Sequence, residues 1–155
     1  MRIILARHGE TDYNKNKKVQ GHSDIPLNEE GIKQGKEAGK KITDYNIDVA
    51  YSSTLGRAFD TARYMLDNSN NKVNKALDVI KDKRLIEKSY GDYEGISFTE
   101  YAAGLENGET RGMELDADAA DRVEEFFKEK YRENPDKTIL AVCHGCLLYT
   151  SDAAD

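Results

Sequence analysis

Ile3-Ile4-Leu5-Ala6-Arg7-His8-Gly9-Glu10-Thr11 stands at the start of the chain, and the rest is read outward from it. The apolar run Ile3 to Ala6 has the pattern of a buried strand, predicted over residues 2–6. It ends on a permanent cation, an imidazole and a glycine. Strand ends in open α/β sheets are where ligands bind. A guanidinium suits a planar, multi-oxygen anion. An imidazole near neutrality can act as nucleophile or base. Gly9 would let the backbone approach a ligand closely. Taken alone, Arg7-His8-Gly9 is equally a strand terminus with a charged surface pair.

The same ending recurs far along the chain. Thr138 to Val142 is an uninterrupted apolar strand that runs into Cys143-His144-Gly145. If the two strands are parallel neighbours, His8 and His144 sit side by side at one sheet edge. Between them lies Ser52-Ser53-Thr54-Leu55-Gly56-Arg57-Ala58, which follows a short strand over 48–52 and places Arg57 in the first turn of a helix. A helix N-terminus adds positive potential. Arg7, Arg57, His8 and His144 converging there form a phosphate pocket.

The intervening chain alternates helices and strands. Asn28 caps a helix running to about Tyr45, with Ile32, Gly35, Gly39 and Ile42 on one face. Ser53 or Thr54 caps the helix that ends near Leu66, the Asn-rich stretch 68–74 is a loop, and 78–80 is a third strand. Ser97-x-x-Glu100 is a capping box. Asp116 to Glu133 is an amphipathic helix that turns Ala119, Ala120, Val123, Phe126, Phe127 and Tyr131 to the core. Residues 7–27 read as a long functional loop. The expected fold is α/β, a three-layer sandwich with a mostly parallel central sheet and helices on both faces.

The 155 residues suit one domain with a real core. Charged residues reach 34%, and the net charge is −6. That balance argues against nucleic acid or an anionic membrane as partner, so an anionic ligand must be drawn by a few clustered cations. No hydrophobic leader segment follows Arg2, and no apolar stretch approaches the ~20 residues of a membrane span. A cytoplasmic protein is the expectation.

At this point the ordered set of motifs resembles the histidine phosphatase superfamily, in its phosphoglycerate mutase-like branch. The matching residues are Arg7-His8-Gly9-Glu10-Thr11, Asn14, Gln20-Gly21 with Asp24, Pro26-Leu27, Gly31 and Gln34. They continue through Ser52-Ser53-Thr54-Leu55-x-Arg57-Ala58-x-x-Thr61-Ala62, Leu85-Ile86-Glu87, Tyr90-Gly91-x-Tyr93-Glu94-Gly95, Gly108-Glu109-Thr110 and His144-Gly145. The resemblance implies a phosphomonoester hydrolase acting on a small phosphorylated metabolite, with a phosphoglycerate mutase as the alternative. His8 would become a phosphohistidine, its neutral form favoured by repulsion from Arg7 and Arg57. Arg7, Arg57 and His144 would grip the phosphoryl oxygens. Glu87 would be proton donor and then base, with Glu94 its rival. Asn14 and the backbone at Gln20-Gly21 would add hydrogen bonds, beside Gly145. No metal or cofactor is implied, because Arg and His supply the positive charge. Tyr90 and Tyr93 are read as packing residues and His22 as a solvated side chain.

Two features stand apart. Cys143-His144-Gly145-Cys146 is a C-x-x-C after an apolar strand, the remote signature of a thiol redox site. And the phosphatase domain is expected over 1–145, with 146–155 an atypical tail lacking a helical period long enough to cover a sheet face. An uncovered face would drive self-association.

Overall fold

The computed structural model describes residues 1–152, with side chains described through Leu148. Four parallel strands form one sheet: β1 (Arg2–Arg7), β2 (Val49–Ser52), β3 (Val79–Lys81) and β4 (Thr138–Cys143), in the order β1-β4-β2-β3. The helices are α1 (Asp12–Lys15), α2 (Glu29–Lys41), α3 (Gly56–Asn68), α4 (Lys72–Lys75), α5 (Phe98–Glu106), α6 (Asp116–Glu133) and α7 (Gly145–Asp152). One core cluster joins α3 to one face of the sheet through Ala58, Ala62, Leu66, Ala50, Leu140 and Val142. The other joins α6 and α7 to the opposite face through Val123, Phe126, Leu147, Tyr51, Ile139 and Ala141. This is the expected three-layer α/β sandwich.

β4 is the central strand, and its last five residues are buried, as its unbroken apolar run requires. β1 corrects the reading of a buried strand. Among the described residues it lies at the sheet edge with β4 as its one strand neighbour, and Ile3 and Leu5 stay 39% and 40% exposed. A short apolar run cannot distinguish a central strand from an edge strand with one covered face. Here Ile4 and Ala6 pack on the α3 side, whereas Ile3 and Leu5 face the layer that α6 and α7 leave open.

Several local expectations also shift. The long loop 7–27 contains α1, capped by Thr11, whose hydroxyl accepts from the Asn14 N–H while the Asn14 side chain accepts from the Thr11 N–H. α2 stops at Lys41, and its buried seam is Gly31, Gly35 and Gly39, so Gly31 takes the place expected for Ile32. The N-cap of α3 is Leu55, without a side-chain cap bond, since leucine carries no acceptor. The Asn-rich stretch folds into α4, with Asn71 as its cap. On α6, Ala119, Val123 and Phe126 are buried but Tyr131 is exposed. The core face passes instead through Lys130, whose ammonium lies 5.1 Å from the centre of the Tyr51 ring. The tail expected to lack helical order opens α7 directly from β4, and Leu147 enters the core. An eight-residue helix is too short for its period to be read, so packing decides it. Residues 153–155 of that tail lie outside the described residues.

Candidate active site

The site begins with strand register. β1 and β4 pair in parallel from Arg2↔Thr138 to Arg7↔Cys143, and the His8 N–H donates to the Cys143 carbonyl at 3.0 Å. The two His-Gly strand ends therefore emerge side by side, with the imidazole centres of His8 and His144 5.1 Å apart. β2 flanks β4 on its other side, and the Ser53 N–H donates to the Val142 carbonyl. That brings the Ser53 hydroxyl 2.7 Å from His144 Nε2.

His8 is buried, and its Nδ1 lies 2.6 Å from the Gly9 carbonyl. A carbonyl only accepts, so the network assigns the proton to Nδ1 and leaves the lone pair on Nε2. Burial is the largest of the forces that hold the His8 pKa down at about 4; Arg57 and Arg7 add to it, and the Gly9 carbonyl opposes them. The repulsion expected to keep this imidazole neutral is thus secondary to desolvation. Gly9 itself makes a different close approach from the one expected. A Cβ there would lie 2.4 Å from the Gly31 carbonyl oxygen, so this glycine seats the strand end against α2 rather than against a ligand. Its N–H donates to Thr61 of α3 at 3.0 Å.

His144 is fully buried beside His8. The Ser53 oxygen also accepts from the Leu55 N–H. His144 Nδ1 is buried with no hydrogen-bond partner among the described residues. Burial first, then Arg57 and His8, depress its pKa well below the ordinary histidine value. Arg57 is also fully buried. Its Nη1 and Nη2 donate to the carbonyls of Ser23 and Gly21 at 2.6 and 2.8 Å, and its Nε has no partner among the described residues. Buried donors are rarely left unpaired, and an anion in the pocket would supply acceptors.

Arg7, His8, Asn14, Gln20, Gly21, Arg57, Glu87 and Gly145 all line one cleft of ≈ 270 Å³. The structure brings together every expected site residue, with the fully buried His144 packed beside His8. Arg7 lies against Gly145, where an added Cβ would sit 3.2 Å from the guanidinium carbon. The Gln20 side-chain oxygen accepts from Thr11 at 2.6 Å. Gly21 adopts φ +54°, and a Cβ there would collide with the Glu94 carboxylate.

Glu87 is buried, and its carboxylate accepts from the N–H groups of Lys88 and Cys146, the second of these in the first turn of α7. Burial outweighs those bonds and the attraction of Arg57 and Arg7, so its pKa is raised. Glu94 has a different task. Its oxygens accept from His22 N–H at 2.7 Å, Ser23 hydroxyl at 3.2 Å and Tyr90 N–H at 3.2 Å, and it does not line the cleft. It ties the 20–23 loop to the segment carrying Glu87.

Sequence reasoning missed three supports. His22, expected to be solvated, has an exposed ring whose Nε2 donates to the Glu87 carbonyl at 2.8 Å. Arg122 of α6 donates to the carbonyls of Arg84, Ile86 and Glu87, and its guanidinium pairs with Glu114. Ser53 orders His144. The Ser-Ser-Thr string contained the last of these; nothing in the local sequence marked the other two. Tyr90, expected to pack, also lines the cleft.

The C-x-x-C lacks the lowered thiol pKa of a redox pair. Burial pushes the Cys143 thiol up to about 12 and raises Cys146 as well, the reverse of what an attacking thiolate needs. Among the described residues no group of three or more His, Cys, Asp or Glu side chains could hold a metal ion, and no helix is long and apolar enough to cross a membrane.

The family model for the histidine phosphatase superfamily (branch 1) matches residues 3–151. The chain is 31% identical over 147 residues to the uncharacterized phosphatase PhoE of Bacillus subtilis, covering 95% of this chain and 73% of that one. It is 32% identical over 141 residues to a 2,3-bisphosphoglycerate-dependent phosphoglycerate mutase of Treponema denticola, covering 85% of this chain and 56% of the mutase. The fold also matches a mycobacterial glucosyl-3-phosphoglycerate phosphatase solved with VO3, with TM-score 0.85 and 29% identity over 99% of this chain and 80% of that one.

Proposed function

The chain belongs to the histidine phosphatase superfamily, and within it we propose that this protein hydrolyses a small phosphomonoester through a phosphohistidine on His8. The observation that carries the reading is the pairing, in one cleft, of a buried neutral imidazole whose Nε2 is free with a carboxyl group whose pKa is raised. Nε2 attacks phosphorus and the bond to the ester oxygen breaks. Glu87 gives its proton to that oxygen, and the alcohol leaves. Water then attacks the phosphohistidine, the P–N bond breaks, and Glu87 takes the proton released. Inorganic phosphate departs, and His8 is again neutral. Throughout, Nδ1–H stays on the Gly9 carbonyl, which steadies the developing imidazolium. Arg7, Arg57 Nε and His144 stabilise the charge on the transferred group, His144 donating from Nδ1 in the tautomer whose Nε2 accepts the Ser53 hydroxyl, with Asn14 and Gln20-Gly21 adding hydrogen bonds.

A mutase is the second reading, favoured by similarity to the Treponema denticola enzyme. The two are separated by product. Phosphate released from a phosphomonoester supports the hydrolase, whereas exchange between 2- and 3-phosphoglycerate without release supports the mutase. We read the protein as cytoplasmic. Self-association belongs to the same proposal, through Ile3 and Leu5 on the edge strand. Light scattering should then give a mass above the monomer that falls when both residues are changed to Thr. A wild-type monomer at tens of micromolar contradicts this part.

A further inference from the structure

Past Glu87, the cleft wall changes character. It continues through Tyr90, Phe98 and Tyr101, with Lys18 beside them. Phe98 opens α5 and is 48% exposed. The rings are held in place. Tyr101 packs edge-on against Tyr90 and Tyr93, with centres 5.5 and 5.1 Å apart. The Tyr93 hydroxyl donates to the Glu109 carbonyl at 3.0 Å. The start of α5 is tied to the phosphate-side loop by the Phe98 N–H on the Lys17 carbonyl and by the Lys18–Ser97 bridge.

Charge on this wall is sparse. The Lys88 ammonium is taken by Asp116 at 2.6 Å, and Arg111 by Glu109 at 2.7 Å. Among the described residues, Lys18 is the one Lys or Arg besides Arg7 and Arg57 that lines the cleft. A second phosphate or a carboxylate on the substrate would meet a single surface ammonium. An apolar face would meet three rings, two of them (Tyr90 and Tyr101) packed edge-on, and such rings favour flat partners by stacking and edge contacts.

We propose that this wall is the leaving-group subsite, and that the alcohol half of the substrate is apolar with a flat face, seated against Tyr90, Phe98 and Tyr101. The inference rests on the phosphatase reading, because Glu87 in the same wall must reach the ester oxygen and so fixes where the alcohol lies.

The test measures kcat/KM for 2-phenylethyl phosphate, ethyl phosphate and 3-phosphoglycerate. The first two release alcohols of similar acidity, so their ratio isolates binding of the ring. The expected ratio is about tenfold or more in favour of the phenyl ester, the size of one well-packed aromatic contact, with 3-phosphoglycerate below the phenyl ester. Phe98→Ala should pull the ratio several-fold toward one, and Phe98→Trp should keep it. A ratio near one, a preference for 3-phosphoglycerate, or a ratio unmoved in Phe98→Ala overturns the inference while the phosphatase reading stands. No phosphate from any ester, together with no phosphoryl label on His8, overturns that reading and the inference with it.

Discussion

The two halves of the cleft are built by different means. The phosphoryl half stands on the ends of three adjacent parallel strands. His8, His144 and Ser53 are placed by backbone pairing, and each is buried. The leaving-group half stands on residues 82–115, where the regular elements are two short 3-10 turns and α5. Glu87 is held there by ties from elsewhere: His22 from the phosphate loop, Arg122 from α6, and the Cys146 N–H from α7. A strand end moves only if the sheet moves. A segment held by side chains can be loosened one bond at a time, so chemistry on this side should degrade gradually and selectively.

The largest effect falls on the phosphoryl half. His8→Ala should reduce turnover of every phosphomonoester below detection in a phosphate-release assay, whatever the leaving group. Selective loss for poor leaving groups would mean that His8 and Glu87 have been given each other's roles.

Glu87→Gln comes next. Esters of poor leaving groups should slow by about 10²–10⁴-fold, and nitrophenyl phosphate much less, since nitrophenolate needs little protonation. The pH profile of kcat/KM separates the halves further. His8 must be unprotonated to attack, so activity falls as pH drops through about 4. Glu87 must be protonated to donate, so activity falls again as pH rises through its elevated pKa, above the usual carboxylate range. Glu87→Gln should abolish the basic limb and keep the acid limb. If Glu94→Gln does so instead, the acid has been misassigned.

A smaller effect is expected from the supports. His22→Ala removes the bond to the Glu87 carbonyl and should cost about tenfold on an alkyl ester, the scale of a modest misplacement. The same change should cost less on nitrophenyl phosphate and shift the basic limb. His22→Gln, which can still donate, should recover part of the loss. Equal losses on both esters would show that His22 serves the whole loop and not the acid.

This contrast also explains what could be read in advance. His8, Arg57 and His144 were legible because each follows a strand signal within a few residues, and parallel strands bring such ends to one edge. The exposed face of β1 was not legible, because Ile3 to Ala6 reads the same in a central strand and in an edge strand. Glu87 could be named through its motif, yet its supports could not. The bonds from His22 and Arg122 span 65 and 35 residues, and Ser53 reaches His144 across 91. Such ties depend on which elements the fold lays over one another, and no local pattern encodes them. α7 escaped for the related reason that packing of Leu147, not a long period, makes it a helix.

The central claim is that phosphate passes through His8. Rapid quenching of the wild-type protein with a ³²P-labelled phosphomonoester, followed by peptide mapping, tests it directly. The account predicts an acid-labile, base-stable label on His8 that forms and decays at rates compatible with turnover. Label on another residue, or turnover with no labelled protein at any time, would contradict it.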